Sequence, residues 1–259
     1  MSAILETQGL SKSFGAVTAA ADITAAFDRD SVVGLIGTNG AGKTTFVNIV
    51  TGYVKPSAGR VLFAGRDITA LAPRAITRLG ISRSFQIPQL YNSLSVDENL
   101  LIGLGVALRN AGAPLFGAWR RPVPGHGAPA AEVTAAIGAR FGLTMWRDRP
   151  ARELPEGVRK LLDIAMALVM KPRILLLDEP TSGVAADEKF AIMDTVIEAA
   201  RADGVTVLFV EHDMEIVQRY AHRVLAFYDG RVIADGAPGR VLENADVRRH
   251  VTGELRAHA

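Results

Sequence analysis

Nine residues, GTNGAGKTT at 37–45, constrain this chain more than any other stretch, because an apolar run (SVVGLIG, 31–37) ends there and a helical pattern (TTFVNIVTG) begins. The spacing is G-x-x-x-x-G-K-[ST]. Glycines let successive backbone N–H groups converge on one point, and the start of the following helix adds its positive end, so the segment forms a cradle for anionic oxygens. On this reading Gly37, Asn39, Gly40, Ala41 and Gly42 wrap a phosphate, Lys43 reaches β- and γ-phosphates, Thr44 offers its hydroxyl to Mg²⁺, and Thr45 follows in the first turn. A glycine turn without a ligand is the alternative.

The strand before the cradle has company. Apolar, β-branched runs recur at GRVLFAG (59–65), RILLLDE (173–179), GVTVLFVEH (204–212) and HRVLAFYDGRVIADG (222–236), with helical patterns such as EKFAIMDTVIEAARADG between them. Strand alternating with helix predicts an α/β layer with parallel strands. The last run carries Asp-Gly between two strand-like halves and predicts a hairpin. From about Leu94 to Pro150 the pattern turns helical and then irregular, with PVPGHGAP at its centre, which reads as a helical subdomain with an insertion.

ILLLDE at 174–179 is a buried-strand pattern ending in two carboxylates. At a strand's end Asp178 can hold Mg²⁺ through its water shell, and Glu179 can orient or deprotonate a water attacking a γ-phosphate. With the phosphate cradle, the pair points to hydrolysis of a nucleoside triphosphate. His212 follows TVLFVE at another strand end. A lone histidine is often structural, but ligands gather at the carboxyl edge of such sheets, which favours a γ-phosphate contact.

Composition narrows the partners. Lys plus Arg is 29 against 27 for Asp plus Glu, a net charge of +2, too balanced to indicate nucleic acid. No cysteine is present, which removes disulfides and thiolate metal sites and fits a reducing compartment. MSAILETQGLSKSF lacks the basic start and apolar core of a secretory signal, and apolar stretches such as LLIGLGVAL fall short of the roughly 18–20 residues of a membrane helix. The cytoplasm is the expected compartment.

In order, GTNGAGKTT, Gln86 in RSFQIPQLY, LPEGV at 154–158, ILLLDEPTSG and His212 in VEHD make the chain resemble the ATP-binding cassette (ABC) family over nearly its whole length. The resemblance implies a P-loop NTPase with a RecA-like parallel-sheet core, an antiparallel β subdomain and a helical subdomain with an insertion at about 94–165, all within one nucleotide-binding domain spanning 1–259. It implies that Gln86 ligates Mg²⁺ and senses the membrane partner, that His212 contacts the γ-phosphate, and that Phe14 in SKSFG stacks on adenine, although a phenylalanine before Gly-Ala packs in a core about as often. ATP and Mg²⁺ are the implied cofactors. ISRSFQIPQLYNSLSVDENLLIG and the insertion holding Trp119, Arg120 and Arg121 look like ATP-binding subunits of bacterial branched-chain amino acid uptake transporters, while subunits serving urea, amides, aromatic acids or lipopolysaccharide export share most of these residues. The implied partners are transmembrane permease subunits, a second ATPase subunit that is a paralogue or a second copy, and indirectly a solute-binding protein. The implied place is the cytoplasmic face of the inner membrane, as a peripheral subunit. A soluble cassette ATPase without a permease is the rival reading, opposed by the single cassette and the absence of a basic tract.

LPEGVRKLLDIAMAL at 154–168 reads as a helix with proline at its first position and Leu161, Leu162, Ala165 and Leu168 on one face. In the family this start usually reads Leu-Ser-Gly-Gly-Gln and is presented to the nucleotide of a partner subunit. Here Leu154 and Gly157 are retained. Pro155 removes a hydroxyl and an N–H, Glu156 adds negative charge, Val158 removes an amide, and Arg159 and Lys160 read as a solvated basic face, with electrostatic compensation for Glu156 as the alternative. After TSG, the aspartate usual in the family is also missing, with Val184, Ala185 and Ala186 in its place. These departures predict that the site receiving LPEGV hydrolyses slowly or only binds. Ile87, Leu90 and Tyr91 suit either a permease-docking groove or simple packing.

Overall fold

The computed structural model describes residues 3–84, 89–112, 122–123 and 125–253. The chain forms two units, Met1–Leu79 with Thr206–Ala259, and Gly80–Val205.

The first unit opens with β1 (Leu5–Phe14) and β2 (Val17–Phe27), an antiparallel pair in register from Leu5↔Phe27 to Phe14↔Val17. Next come β3 (Val32–Gly37), α1 (Lys43–Val50), β4 (Ala58–Phe63), β5 (Arg66–Asp67) and α2 (Pro73–Leu79). The second unit holds β6 (Ile81–Arg83), α3 (Val96–Asn110), α4 (Ala130–Arg140), α5 (Glu156–Leu168), β7 (Ile174–Asp178) and α6 (Lys189–Ala202). The chain then returns to the first unit with β8 (Thr206–Val210), α7 (Met214–Tyr220), β9 (Arg223–Tyr228), β10 (Arg231–Gly236), α8 (Pro238–Leu242) and α9 (Ala245–Val247).

In the first unit, β3 lies between β8 and β9 and runs parallel to both, and β10 closes antiparallel on β9. Every residue of β3 and β8 is buried, which is why these strands read as unbroken apolar runs. Gly34 gives α7 room on β3: a Cβ there would meet Val217 and Ala221 at 3.3 and 3.5 Å. Phe46 of α1 sits between Phe27 and Phe227, with ring centroids 6.1 and 5.6 Å away. The expected hairpin forms, with Asp229 and Gly230 both at positive φ, as a two-residue turn of type I′ requires. β1, β2, β4 and β5 make the separate antiparallel sheet. No apolar run marks β1 and β2 in the sequence, since small and polar residues fill their exposed positions and register shifts interrupt their alternation.

In the second unit β6 pairs parallel with β7, from Ile81↔Ile174 to Arg83↔Leu176. Ser95 and Glu98 form a reciprocal capping box that starts α3. Fully buried Asn99, one turn in, donates to the carbonyls of Tyr91, Leu94 and Ser95 and shapes the chain before the helix. α5 differs from its expected form in two ways. Pro155 is its N-cap, not its first helical residue, with φ −55° and ψ 153°. Burial also covers more than one stripe, taking in Gly157, Lys160 and Asp163 besides the apolar positions.

Candidate active site

The phosphate cradle folds in the first unit as its spacing predicts. Gly42 is left-handed at φ 103° and caps α1, and a Cβ there would lie 2.5 Å from the Ala19 carbonyl oxygen. Only glycine lets the loop pass that close to β2. Gly40, at φ 80°, has nothing within 4 Å of a Cβ position, so its conformation and not crowding calls for glycine. Ala41 is locked by its N–H to Thr38 O at 3.1 Å and by its carbonyl, which accepts from Gly230 N at 3.1 Å. Lys43 is 5% exposed, and its ammonium donates to the Gly37 and Thr38 carbonyls at 2.6 and 3.0 Å. The loop therefore carries its own buried positive charge. Asn39 and Thr44 are exposed and Thr45 is half-buried at the helix start. Gly37 ends the buried β3. A loop with a buried ammonium, a helix N-terminus and glycines at positive φ fits a triphosphate.

Phe14 ends β1 with 52% of its surface exposed, and the Lys12 ammonium lies 5.0 Å from the ring centroid. It belongs to no core, so the ring is accessible for stacking. His212 follows β8 and is exposed, its N–H directed to Glu211 Oε2 at 3.1 Å.

The acidic strand lies in the second unit. All five residues of β7 are buried, and Asp178 is 8% exposed. Its carboxylate meets Arg83 of β6, Nη2 to Oδ2 at 2.6 Å. Arg83 pairs with Leu176, so Asp178 stands two residues further along the same face. Spacing alone did not show this arginine. Its signal was a charge at the end of the short segment ISR, where burial of a guanidinium calls for an acceptor such as a carboxylate. Among the described residues no cluster of three or more His, Asp or Glu could cage a metal. A lone carboxylate such as that of Asp178 suits Mg²⁺, which is commonly held by one or two carboxylates together with phosphates and waters.

Glu179 has φ 50°, a left-handed conformation for a residue followed by proline, and such a backbone costs on the order of 1–3 kcal/mol. Its carbonyl accepts from Ser182 N at 3.1 Å and from the Lys160 ammonium at 2.8 Å. Lys160 is 5% exposed. The expected solvated basic face is thus corrected: Lys160 lies on the inward stripe Gly157, Lys160, Ile164 and Leu168, one helical turn apart at each step. Arg159 is also engaged, donating to Ala151 O at 2.9 Å and to Asn92 Oδ1 at 3.1 Å.

The segment LPEGV divides by burial. Leu154 is 6% exposed and Gly157 is buried, a Cβ there lying 3.2 Å from Ile192 Cδ1 and 3.4 Å from Glu188 Oε2. Pro155 and Glu156 are exposed, and Pro155 makes no side-chain capping bond. Gln86 and Ile87, and Trp119, Arg120 and Arg121, lie outside the described residues. Beyond Gln86, Gln89 donates its N–H to Asp163 Oδ1 of α5 at 3.1 Å, Leu90 is half-buried, and Tyr91 is 50% exposed.

Residues 20–182 match the family model described as ABC transporter. The chain is 35% identical to the probable branched-chain amino acid transport ATP-binding protein LivG of Archaeoglobus fulgidus, covering 94% of this chain and 93% of the relative. It is 34% identical to the high-affinity branched-chain amino acid transport ATP-binding protein BraF of Pseudomonas aeruginosa, over 97% and 98%. Among solved structures, MJ1267, an ATP-binding cassette of an ABC transporter, superposes with a TM-score of 0.82 at 33% identity, covering 96% of this chain and 98% of that one. CbiO1 of Clostridium perfringens, part of a cbiONQ transporter complex, gives 0.79 at 30% identity, over 99% and 96%. The chain belongs to the ABC transporter family, as an ATPase of the P-loop α/β fold that works on ATP with Mg²⁺.

Proposed function

We propose that this chain powers an importer of branched-chain amino acids or related small solutes, seated on the cytoplasmic face of transmembrane permease subunits and paired with a second ATPase subunit. The observation that carries this reading is similarity to two branched-chain amino acid transport ATP-binding proteins over more than nine-tenths of both chains. Among the described residues no helix is long and apolar enough to cross a membrane, so the pore is left to other chains. The whole chain is read as one nucleotide-binding domain, with its helical subdomain and insertion at about 94–165.

The roles follow from the chemistry of each group. Gly37, Asn39, Gly40, Ala41, Gly42 and Thr45 line the polyphosphate, and the Lys43 ammonium neutralises β- and γ-oxygens. Phe14 offers a face to adenine. Thr44, Asp178 and Gln86 would hold Mg²⁺, which supplies charge neutralisation on the phosphates when bound. Glu179 orients and deprotonates the attacking water, and His212 holds the γ-phosphate. The exposed Pro155 and Glu156, with Leu154 and Gly157 behind them, face a partner's nucleotide. There a carboxylate opposes the phosphate that the helix end attracts. Two unequal sites result, one hydrolysing with this chain's Lys43, Asp178 and Glu179, and one receiving LPEGV that turns over slowly.

Reconstitution with the cognate permease subunits in liposomes tests the whole reading. ATP-driven accumulation of leucine, isoleucine or valine supports it, and ATP hydrolysis without accumulation of any of the three refutes the solute class. Light scattering of purified Glu179→Gln protein with ATP and Mg²⁺ tests the pairing. A protein that stays monomeric while binding ATP supports a different second subunit, whereas a stable homodimer refutes unequal subunits.

A further inference from the structure

Lys160 is a buried cation that neither the phosphate cradle nor the acidic strand accounts for. Its Nζ lies 2.8 Å from the carbonyl oxygen of Glu179, a residue whose φ of 50° is unfavourable for any side chain and more so before Pro180. A left-handed residue persists only where its surroundings fix it, and two donors converge on this one carbonyl, Ser182 N and the Lys160 ammonium. The first belongs to the turn itself. The second comes from α5, whose start carries LPEGV and whose first three turns also hold Gln89 N through Asp163 and Asn92 through Arg159.

We infer that Lys160 is a positioning residue for Glu179: its ammonium holds the Glu179 peptide in the left-handed conformation and so aims the carboxylate at the attacking water. Because the same helix is anchored to residues 89 and 92 by side chains within one turn of Lys160, a shift of α5 relative to β7 changes the aim of Glu179 without changing the phosphate cradle. The bond thus ties the state of LPEGV and of the 89–92 segment to turnover in this chain's own site. This inference rests on the proposed role of Glu179 as base.

The test uses the full chain assembled with its permease subunits, measuring kcat and KM for ATP alongside the affinity for a fluorescent ATP analogue. Lys160→Met keeps the length of the side chain and removes the donor, and Lys160→Arg keeps a charged donor. A misaimed base costs roughly 10- to 100-fold in rate, so Lys160→Met is expected to lose that much kcat with nucleotide affinity and KM within about two-fold, and Lys160→Arg to recover most of it. Wild-type kcat in Lys160→Met, a parallel loss of nucleotide affinity, or a Lys160→Arg protein no better than Lys160→Met overturns the inference. If Lys160→Met does not fold, Lys160→Leu takes its place, a side chain that also lacks any donor to the Glu179 carbonyl and for which wild-type kcat is again the refuting result. Glu179→Gln separates the two readings. Turnover retained in that variant refutes Glu179 as base, whereas its loss together with full activity in Lys160→Met refutes only the positioning role.

Discussion

Replacing Arg83 by methionine isolates the ion pair at the end of the acidic strand. The two side chains are 9% and 11% exposed and meet at 2.6 Å, so loss of the guanidinium leaves the Asp178 carboxylate in a site that water scarcely reaches. Breaking one side of a buried pair destabilises by about 3–5 kcal/mol, because the remaining charge keeps its desolvation cost and loses its partner. For a chain of this size each kcal/mol moves the melting temperature by about 2–4 °C, so Arg83→Met is expected to melt roughly 6–20 °C below the wild type. The nucleotide supplies a second, more specific reading. If Asp178 holds Mg²⁺, the metal restores a positive partner to the stranded carboxylate. The stabilisation by ATP with Mg²⁺, measured against ATP with a chelator, then grows in the variant, while Arg83→Lys stays near the wild type in both respects. Differential scanning fluorimetry reads all of these shifts. A variant that melts like the wild type shows that the pair carries little stability. A Mg²⁺-dependent shift no larger than the wild type's refutes competition between Arg83 and the metal for Asp178.

Three further changes test other parts of the site and its support. The triple change Pro155→Ser, Glu156→Gly and Val158→Gln restores a hydroxyl that can cap α5, worth about 1 kcal/mol, and should raise the ATPase rate of the assembled transporter; an unchanged rate refutes the unequal-site reading. Gly42→Ala places a Cβ 2.5 Å from Ala19 O at φ 103°, so it should cost at least about 1–3 kcal/mol and abolish binding of a fluorescent ATP analogue, and retained binding would show that the loop relaxes. His126 donates from Nε2 to the Val169 carbonyl at 2.9 Å, and burial, outweighing that bond, pushes its pKa below the ordinary 6.5. The unfolded chain therefore takes up the proton first as pH falls through 6.5, and stability declines until the folded imidazole titrates too. Urea midpoints at pH 7.5 and about 5.5 should differ less in His126→Gln than in the wild type, and equal differences would refute this.

Sequence pattern reached the parts of the fold governed by local rules. β3, β7 and β8 are buried on both faces and read as unbroken apolar runs, and Asp229-Gly230 declares its own hairpin. The phosphate cradle is legible because its function is a backbone conformation, and backbone conformation leaves glycines at fixed spacing. What escaped depends on contacts between elements. Lys160 looks solvated in a string reading VRKLL, and only the packing of α5 turns it onto Glu179. Arg83 and Asp178 stand 95 residues apart, joined by the parallel register of β6 and β7. The β1–β2 pair escaped for a different reason: its bulged, partly exposed strands carry no clean two-residue period.

The burial pattern of LPEGV bears on why this chain departs from the family's usual signature. Leu154 is inside, and a Cβ at Gly157 would crowd Ile192 Cδ1 at 3.2 Å, so the fold itself favours a large apolar residue at one position and glycine at the other. Those two are the positions where the usual residues stand. Pro155 and Glu156 are exposed, where serine or glycine would fit the fold equally well, so packing within this chain does not explain them. Stability explains only part. Glu156 sits in the first turn of α5, where a carboxylate favours the helix, and its Oε2 lies 4.0 Å from Arg159 Nε. On the proposed reading the same carboxylate occupies the field that a partner's phosphate would otherwise use. Changes confined to the exposed side of this helix start leave Lys43 and Asp178 unaltered in the chain itself. On the proposed reading that difference lies at the surface offered to a second subunit, so the triple change is expected to act on turnover in the assembled transporter while leaving nucleotide affinity at Lys43 unaltered.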